Sequence, residues 1–176
     1  MGNAPCPSLP KPECLSRTAN RQWQKSRPAE PNDLSFVLDE AQIPTNFLRA
    51  DVRVYGRRHL LFATDQQLEH VTRAKSWYID GTFKLWRHPF SQLLTINAFV
   101  RTEDYAKQVP QLFVLMSGKK KRDYCKVFPA ILNCLSNETS VQHITIDFER
   151  ALWKVLAEFL PHATIKGYDF HWTQAL

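Results

Sequence analysis

The second half of the chain alternates apolar runs with short polar breaks, and the period of the pattern changes partway along. Trp77–Phe83, Gln92–Val100 and Val109–Met116 are three apolar runs rich in aromatic and β-branched residues, too short for helices. The gaps between them are short, which predicts three neighbouring antiparallel strands. After the Ser117-Gly118 turn the period becomes helical. Tyr124, Val127, Phe128, Ile131, Leu132 and Leu135 share one face, with Asp123 placed to cap the helix and Pro129 placed to kink or restart it. Val141–Ile146 reads as a fourth strand. Phe148, Leu152, Val155, Leu156 and Phe159 mark a second amphipathic helix, ending before Pro161, and Thr164–Lys166 is a short fifth strand. The sequence stops at Leu176, in the expected opening turn of another helix.

A three-strand antiparallel meander followed by alternating helices and strands predicts an α/β (α+β) mixed sheet, incomplete at its C-terminus. Upstream, Asp33–Leu48 predicts short helical or irregular pieces broken at Pro44. Val52–Tyr55 and His59–Phe62 predict a hairpin around Gly56, and Thr64 or Asp65 caps a helix running to about Lys75. Residues 1–31 hold six of the 11 prolines and few large apolar side chains, and read as a disordered basic tail. The expected organisation is therefore 1–31 tail, 32–76 helical and hairpin segment, and 77–176 partial mixed-sheet domain.

Composition narrows the function classes. The 176 residues carry a net charge of +6, which favours a polyanionic partner such as nucleic acid or an acidic membrane surface without proving one. No run of 18 apolar residues exists, so no membrane-spanning helix is expected, and the start of the chain lacks the pattern of a secretory leader. Cys6, Cys14, Cys125 and Cys134 form no C-x-x-C pair, which argues for reduced thiols rather than a zinc knuckle or disulfide framework. With five glycines and no Gly-rich loop, nucleotide cofactor fingerprints are excluded, and no small-molecule cofactor is expected.

Two aspartates carry the candidate chemistry. Asp80 sits inside the apolar run Tyr78–Phe83, where a buried carboxylate must be paired, hydrogen-bonded or metal-bound. Asp80-Gly81 is equally a hairpin-turn signal. Asp147 ends the fourth strand and precedes a helix, so capping alone explains an aspartate there. If the first and fourth strands lie side by side, the two carboxylates meet. They then repel unless a divalent cation sits between them, and hard oxygen ligands suit Mg2+ or Mn2+. A pair of such ions clamps the attacking and leaving oxygens of a phosphoryl displacement. Lys119, Lys120, Lys121 and Arg122 are candidate phosphate contacts, or a solvated turn with a weak nuclear-import signal. His171 is an ordinary histidine on residue grounds alone, and the tryptophans at periodic positions read as core before base-stacking groups.

These residues fall within a family pattern. "YIDGTFK" from Tyr78, "PFSQLLTINAFV", "QVPQLFVLMS", "ITIDFERALWKVL" and "IKGYDFHWTQAL" follow in the order and natural spacing of the catalytic domain of Mutator-like element (MULE) transposases, which this chain resembles over roughly Asp33–Leu176. The upstream "FLRADVRVYGRRHLLFATDQQLEHVTRAKSW" resembles the segment preceding that domain in animal relatives. The resemblance implies a ribonuclease-H-like fold and a DDE-type site with a two-metal Mg2+ or Mn2+ centre. Asp80 and Asp147 match the first and second acids and would be both catalytic and metal-binding. His171 matches the histidine of a Cys-x-x-His element whose cysteine position here holds Tyr168. The third acid lies further on in the family, and no residue of this chain is assigned to it. The implied partner is DNA, with a possible homo-oligomer, no membrane, and a nuclear location. The reaction implied is metal-dependent DNA strand cleavage and transfer, expected to be weak or absent in this chain by itself. The alternatives are a transposase-derived, non-catalytic DNA-binding or interaction protein, or an incomplete gene fragment.

Overall fold

The computed structural model describes residues 12–26, 31–82, 88–101, 105–135, 138–147 and 149–167. The chain forms two compact units, residues 1–31 and 32–176.

In the first unit an α-helix, α1, runs Pro12–Ser26, where the sequence reading expects no regular structure. The prolines mislead because they flank this stretch instead of interrupting it. Pro12 occupies the first helical position, where its missing N–H costs nothing. Leu15, Arg17, Ala19, Arg21, Gln22 and Gln24 are good helix formers, and Glu13 and Lys25 suit the two ends of the dipole. Ser16 to Trp23 are all exposed, so this helix draws on local propensity.

Among its described residues the second unit is a seven-stranded sheet carrying three α-helices. Its strands are β1 Leu48–Val54, β2 Arg57–Phe62, β3 Ser76–Thr82, β4 Gln92–Arg101, β5 Ala106–Met116, β6 His143–Ile146 and β7 Thr164–Gly167. Their order across the sheet is β1-β2-β5-β4-β3-β6-β7. β3, β4 and β5 form the expected antiparallel meander, and β6 and β7 add parallel to β3 by crossovers. The crossover helices are α3 Lys121–Cys134 and α4 Arg150–Phe159, while α2 Asp65–Arg73 leads into β3. The architecture is mixed α/β. Residues 32–76 are not a separate segment, because β2 pairs with β5 from His59↔Met116 to Phe62↔Phe113 and extends the same sheet.

Local signals explain most boundaries. β1 and β2 turn through Tyr55 and Gly56, both at positive φ (46° and 72°), the type I′ geometry that matches strand twist. Thr64 and Gln67 form a reciprocal capping box at α2. α3 begins earlier than expected. Its N-cap is Lys120, and Asp123 sits at the third helical position, its Oδ2 accepting from the Lys120 N–H at 2.8 Å. Pro129 lies inside α3 without ending it.

One core fills the space between the sheet and all three helices. Trp77 and Ile79 of β3, Leu94 and Ile96 of β4, Leu112 and Val114 of β5, and Ile144 and Ile146 of β6 face Leu68 and Val71 of α2, Val127 and Ile131 of α3, and Leu152 and Val155 of α4. Trp77 is fully buried, and its indole N–H donates to the Val71 carbonyl at 2.9 Å. On the opposite face Leu34 and Phe36 cross β2. Arg58 holds them there through its guanidinium, which donates to both backbone carbonyls, forks onto both oxygens of Asp51 at 2.7 and 2.8 Å, and lies over the Phe36 ring.

A second buried polar group joins β2 to α3. Asp123 is fully buried, 3.3 Å from Arg57 Nη1 and 3.7 Å from His59 Nε2. Gly118 makes this possible, because a Cβ there would overlap the Arg57 guanidinium outright. Gly118→Ala should expel Arg57 from Asp123 and cost about 1–3 kcal/mol, the cost of an unsatisfied buried acceptor. Chemical denaturation will read this, and the effect should be non-additive with Arg57→Ala. Burial holds the His59 pKa below its ordinary 6.5, with Asp123 partly opposing. Below about pH 6.5 the unfolded chain therefore binds a proton that the folded chain does not. Stability should be full above that pH and decline as pH falls through it, with a shallower decline in His59→Gln measured by denaturation from pH 7 to pH 5.

Candidate active site

The β3–β6 ladder decides where the two sequence-predicted acids go. Its pairs run Ser76↔His143, Trp77↔Ile144, Tyr78↔Thr145 and Ile79↔Ile146. Asp80 is the next residue of β3, and Asp147 is the first residue after β6. Parallel neighbours lie about 4.8 Å apart, so the two acids emerge side by side at the carboxyl ends of adjacent strands. Trp77, Ile79, Ile144 and Ile146 point into the core, and strand alternation sends Asp80 and Asp147 to the opposite face. Among the described residues no helix covers that face over β3, β4 and β6.

Both ordinary explanations for these acids fail. Asp80-Gly81 is not a turn: Asp80 pairs with Thr95 and Gly81 with Leu94 inside the β3–β4 ladder. Asp147 does not cap α4, whose N-cap residue is Glu149. The two acids line one concavity of about 490 Å³ with Tyr78, Thr82, Thr95, Asn97, Gln108 and Phe113. Asp80 is exposed and Asp147 half-buried. Thr82 Oγ1 donates to Asp80 Oδ2 at 3.4 Å, and Asn97 Nδ2 donates to the Tyr78 carbonyl at 2.9 Å. Tyr78 meets Phe99 edge to face at 5.3 Å.

The donor set is two carboxylates and neighbouring hydroxyl oxygens. It fits a hard divalent cation such as Mg2+ or Mn2+ and offers nothing for a soft metal. Among the described residues no group of three or more His, Cys, Asp or Glu side chains converges. Glu149, two residues after Asp147, turns to the helix-covered side. There its Oε2 accepts from the hydroxyl of Tyr124, a fully buried residue of α3, at 2.9 Å. The same hydroxyl meets the Gln92 amide at 3.1 Å. Burial raises the Glu149 carboxyl above its ordinary range and the Asp147 charge adds to this, while the Tyr124 hydrogen bond and the Lys119 charge oppose it. The sequence reading passed over Gln92 and Tyr124 as ordinary strand and helix positions. A glutamine opening an apolar strand was the one available hint.

The four-cation run separates in space. Lys119 acts on Glu149, at the acidic end of the sheet. Lys120 is the N-cap of α3, Lys121 pairs with Glu158 of α4 at 3.4 Å, and Arg122 lies 5.5 Å over the Tyr55 ring. It therefore does not form one patch, and Lys119 is the member whose charge acts on Glu149, at the end of the sheet where β6 gives way to α4. Tyr168 and His171 lie outside the described residues. Trp77 is core, and Trp153 packs half-buried against it.

A comparison with curated proteins gives no match. The model of the MULE transposase domain matches residues 76–175, which takes in β3 to β7 and both aspartates. That match covers more than half of the chain, which therefore belongs to the MULE transposase domain family.

Proposed function

We propose that this transposase-derived domain binds DNA at the open face of the sheet and holds a divalent cation, Mg2+ or Mn2+, between Asp80 and Asp147. The observation that carries the reading is the emergence of both acids, side by side, into one concavity of a MULE-family chain. The meander followed by parallel crossover strands supports a ribonuclease-H-like assignment. The chemistry such a cation supplies is charge neutralisation at a phosphodiester and activation of an oxygen nucleophile, which is the basis of strand cleavage and transfer. Asp80 and Asp147 supply its anionic ligands, and Thr82 orients the Asp80 carboxylate. Lys119 adds positive charge for a phosphate at the same end of the sheet. Two carboxylates hold a cation less firmly than three, so strand-nicking by this chain should be slow or absent. Action on chromosomal DNA would call for a nuclear location.

A second reading, DNA binding without catalysis, is favoured by the absence of a third converging acid among the described residues. Metal binding separates the two. Mn2+ at ten times its dissociation constant should stabilise the chain by about 1.4 kcal/mol, a shift of a few degrees in melting temperature. Asp80→Asn should abolish the shift without lowering the metal-free melting temperature, because it removes a repelling charge. A Mn2+ shift unchanged in Asp80→Asn would sink the site assignment.

DNA affinity gives an independent check. Lys119→Ala should weaken binding to any DNA sequence and reduce the slope of log K against log salt by about 0.9, one phosphate contact. Lys121→Ala, whose side chain reaches along α3 to Glu158 of α4, should change the slope less. Equal effects of the two, measured by fluorescence anisotropy from 50 to 200 mM salt, would remove Lys119 from the site.

A further inference from the structure

The connection between β6 and α4 is pinned from below by a chain of buried polar groups that core packing does not require. Tyr124 and Gln92 are both fully buried, in a cluster otherwise made of aliphatic and aromatic side chains. The Tyr124 hydroxyl donates to Glu149 Oε2 at 2.9 Å and accepts from the Gln92 amide nitrogen at 3.1 Å. Three elements thus meet at one phenol: α3 supplies it, β4 opens with Gln92, and α4 begins after Glu149. A leucine at 92 and a phenylalanine at 124 would fill the same volume with no polar group to satisfy, so burying these groups calls for a separate reason.

The backbone around Glu149 supplies one. Its N–H donates to the Asp147 carbonyl at 2.6 Å, and its own carbonyl accepts from Trp153 N–H at 3.0 Å in the first turn of α4. On the other side, Ile146 is fully buried and locked in the β3 ladder. Asp147 therefore lies between two fixed points, the end of the ladder and the anchored Glu149. It has left the regular strand, so the ladder by itself does not hold it, and it stands beside a second carboxylate that repels it.

We propose that Tyr124 and Glu149 are positioning residues that hold Asp147 in the carboxylate concavity, with Gln92 fixing the phenol; this rests on the reading that Asp80 and Asp147 share a divalent cation. Glu149 is not a third ligand on this account. Its Oε2 is engaged by the phenol on the helix-covered side, while Asp147 lines the concavity on the other. It keeps the second acid within reach of the first, so that little ordering is left for metal binding to impose.

The test is Mn2+ titration of the full 176-residue chain, with free Mn2+ read by its electron paramagnetic resonance signal and folding followed by melting curves. Tyr124→Phe and Glu149→Ala should weaken Mn2+ affinity about tenfold or more, as loss of a ligand-orienting partner does. Glu149→Gln keeps an oxygen to accept from the phenol and should restore most of the affinity. A purely structural role would lower the melting temperature of all three variants and leave the Mn2+ dissociation constant where it was. If the wild-type chain binds Mn2+ and loses it in Asp80→Asn, while Tyr124→Phe and Glu149→Ala bind with wild-type affinity, the positioning role is overturned alone. If the wild-type chain binds no Mn2+, the metal reading falls and this inference falls with it. Should Tyr124→Phe fail to fold, the Glu149→Ala and Glu149→Gln pair decides.

Discussion

The parallel pairing of β3 with β6 is the constraint on which the site depends. It is a contact between residues about 67 apart in sequence, made only because α3 crosses over the sheet and returns the chain to the far edge of β3. The side-chain period of a strand is two, so a slip of one residue in that ladder would send Asp147 into the core and Ile146 to the open face. Register is held by what such a slip would bury and expose. Ile144 and Ile146 are both fully buried against Trp77 and Ile79, and exchanging them for Thr145 and Asp147 would put a carboxylate in an apolar core. The apolar face of β6 therefore specifies where its polar face presents an acid.

Among the described residues, helices on one face and an uncovered region over β3, β4 and β6 on the other give the sheet two chemistries. Beneath it the polar groups are few, specific and shared between elements: the Arg57–Asp123 pair, His59, and the Gln92–Tyr124–Glu149 chain. Above it, over β3, β4 and β6, lie hydroxyls, amides, aromatic edges and the two acids. Asp147 and Glu149 are separated by one residue and serve opposite sides. This is possible because the strand ends at Ile146 and the chain turns before α4.

Strands and helices with clean periodicity were legible in the sequence: β3 to β7, the hairpin and α2 all appear within a few residues of where the pattern puts them, with Thr64 the cap of α2. Errors arose where a residue's chemistry allowed two roles. Asp123 reads as a cap because aspartate favours that position, but the helix starts earlier and a long-range partner, Arg57, claims the carboxylate. Prolines counted over residues 1–31 suggest disorder, whereas their positions leave room for a helix from Pro12. Asp80 and Asp147 each carry a local explanation that only strand pairing removes. The Tyr124 network was not legible at all, since nothing in a helical pattern says which buried aromatic needs its hydroxyl satisfied.

Arg57 and Asp123 link parts of the chain that the family match treats separately. The match begins at residue 76, while Arg57 lies on β2, upstream of it. Asp123 immediately precedes Tyr124 on α3, so the helix that carries the phenol is moored by a guanidinium from outside the matched segment. A chain beginning at residue 76 would retain the acids and the meander but leave Asp123 a buried charge with no cation beside it from β2, and would open the edge of β5. The folding unit is thus larger than the segment the family model matches, and the hairpin belongs to the site's foundations although it contributes no residue to its surface.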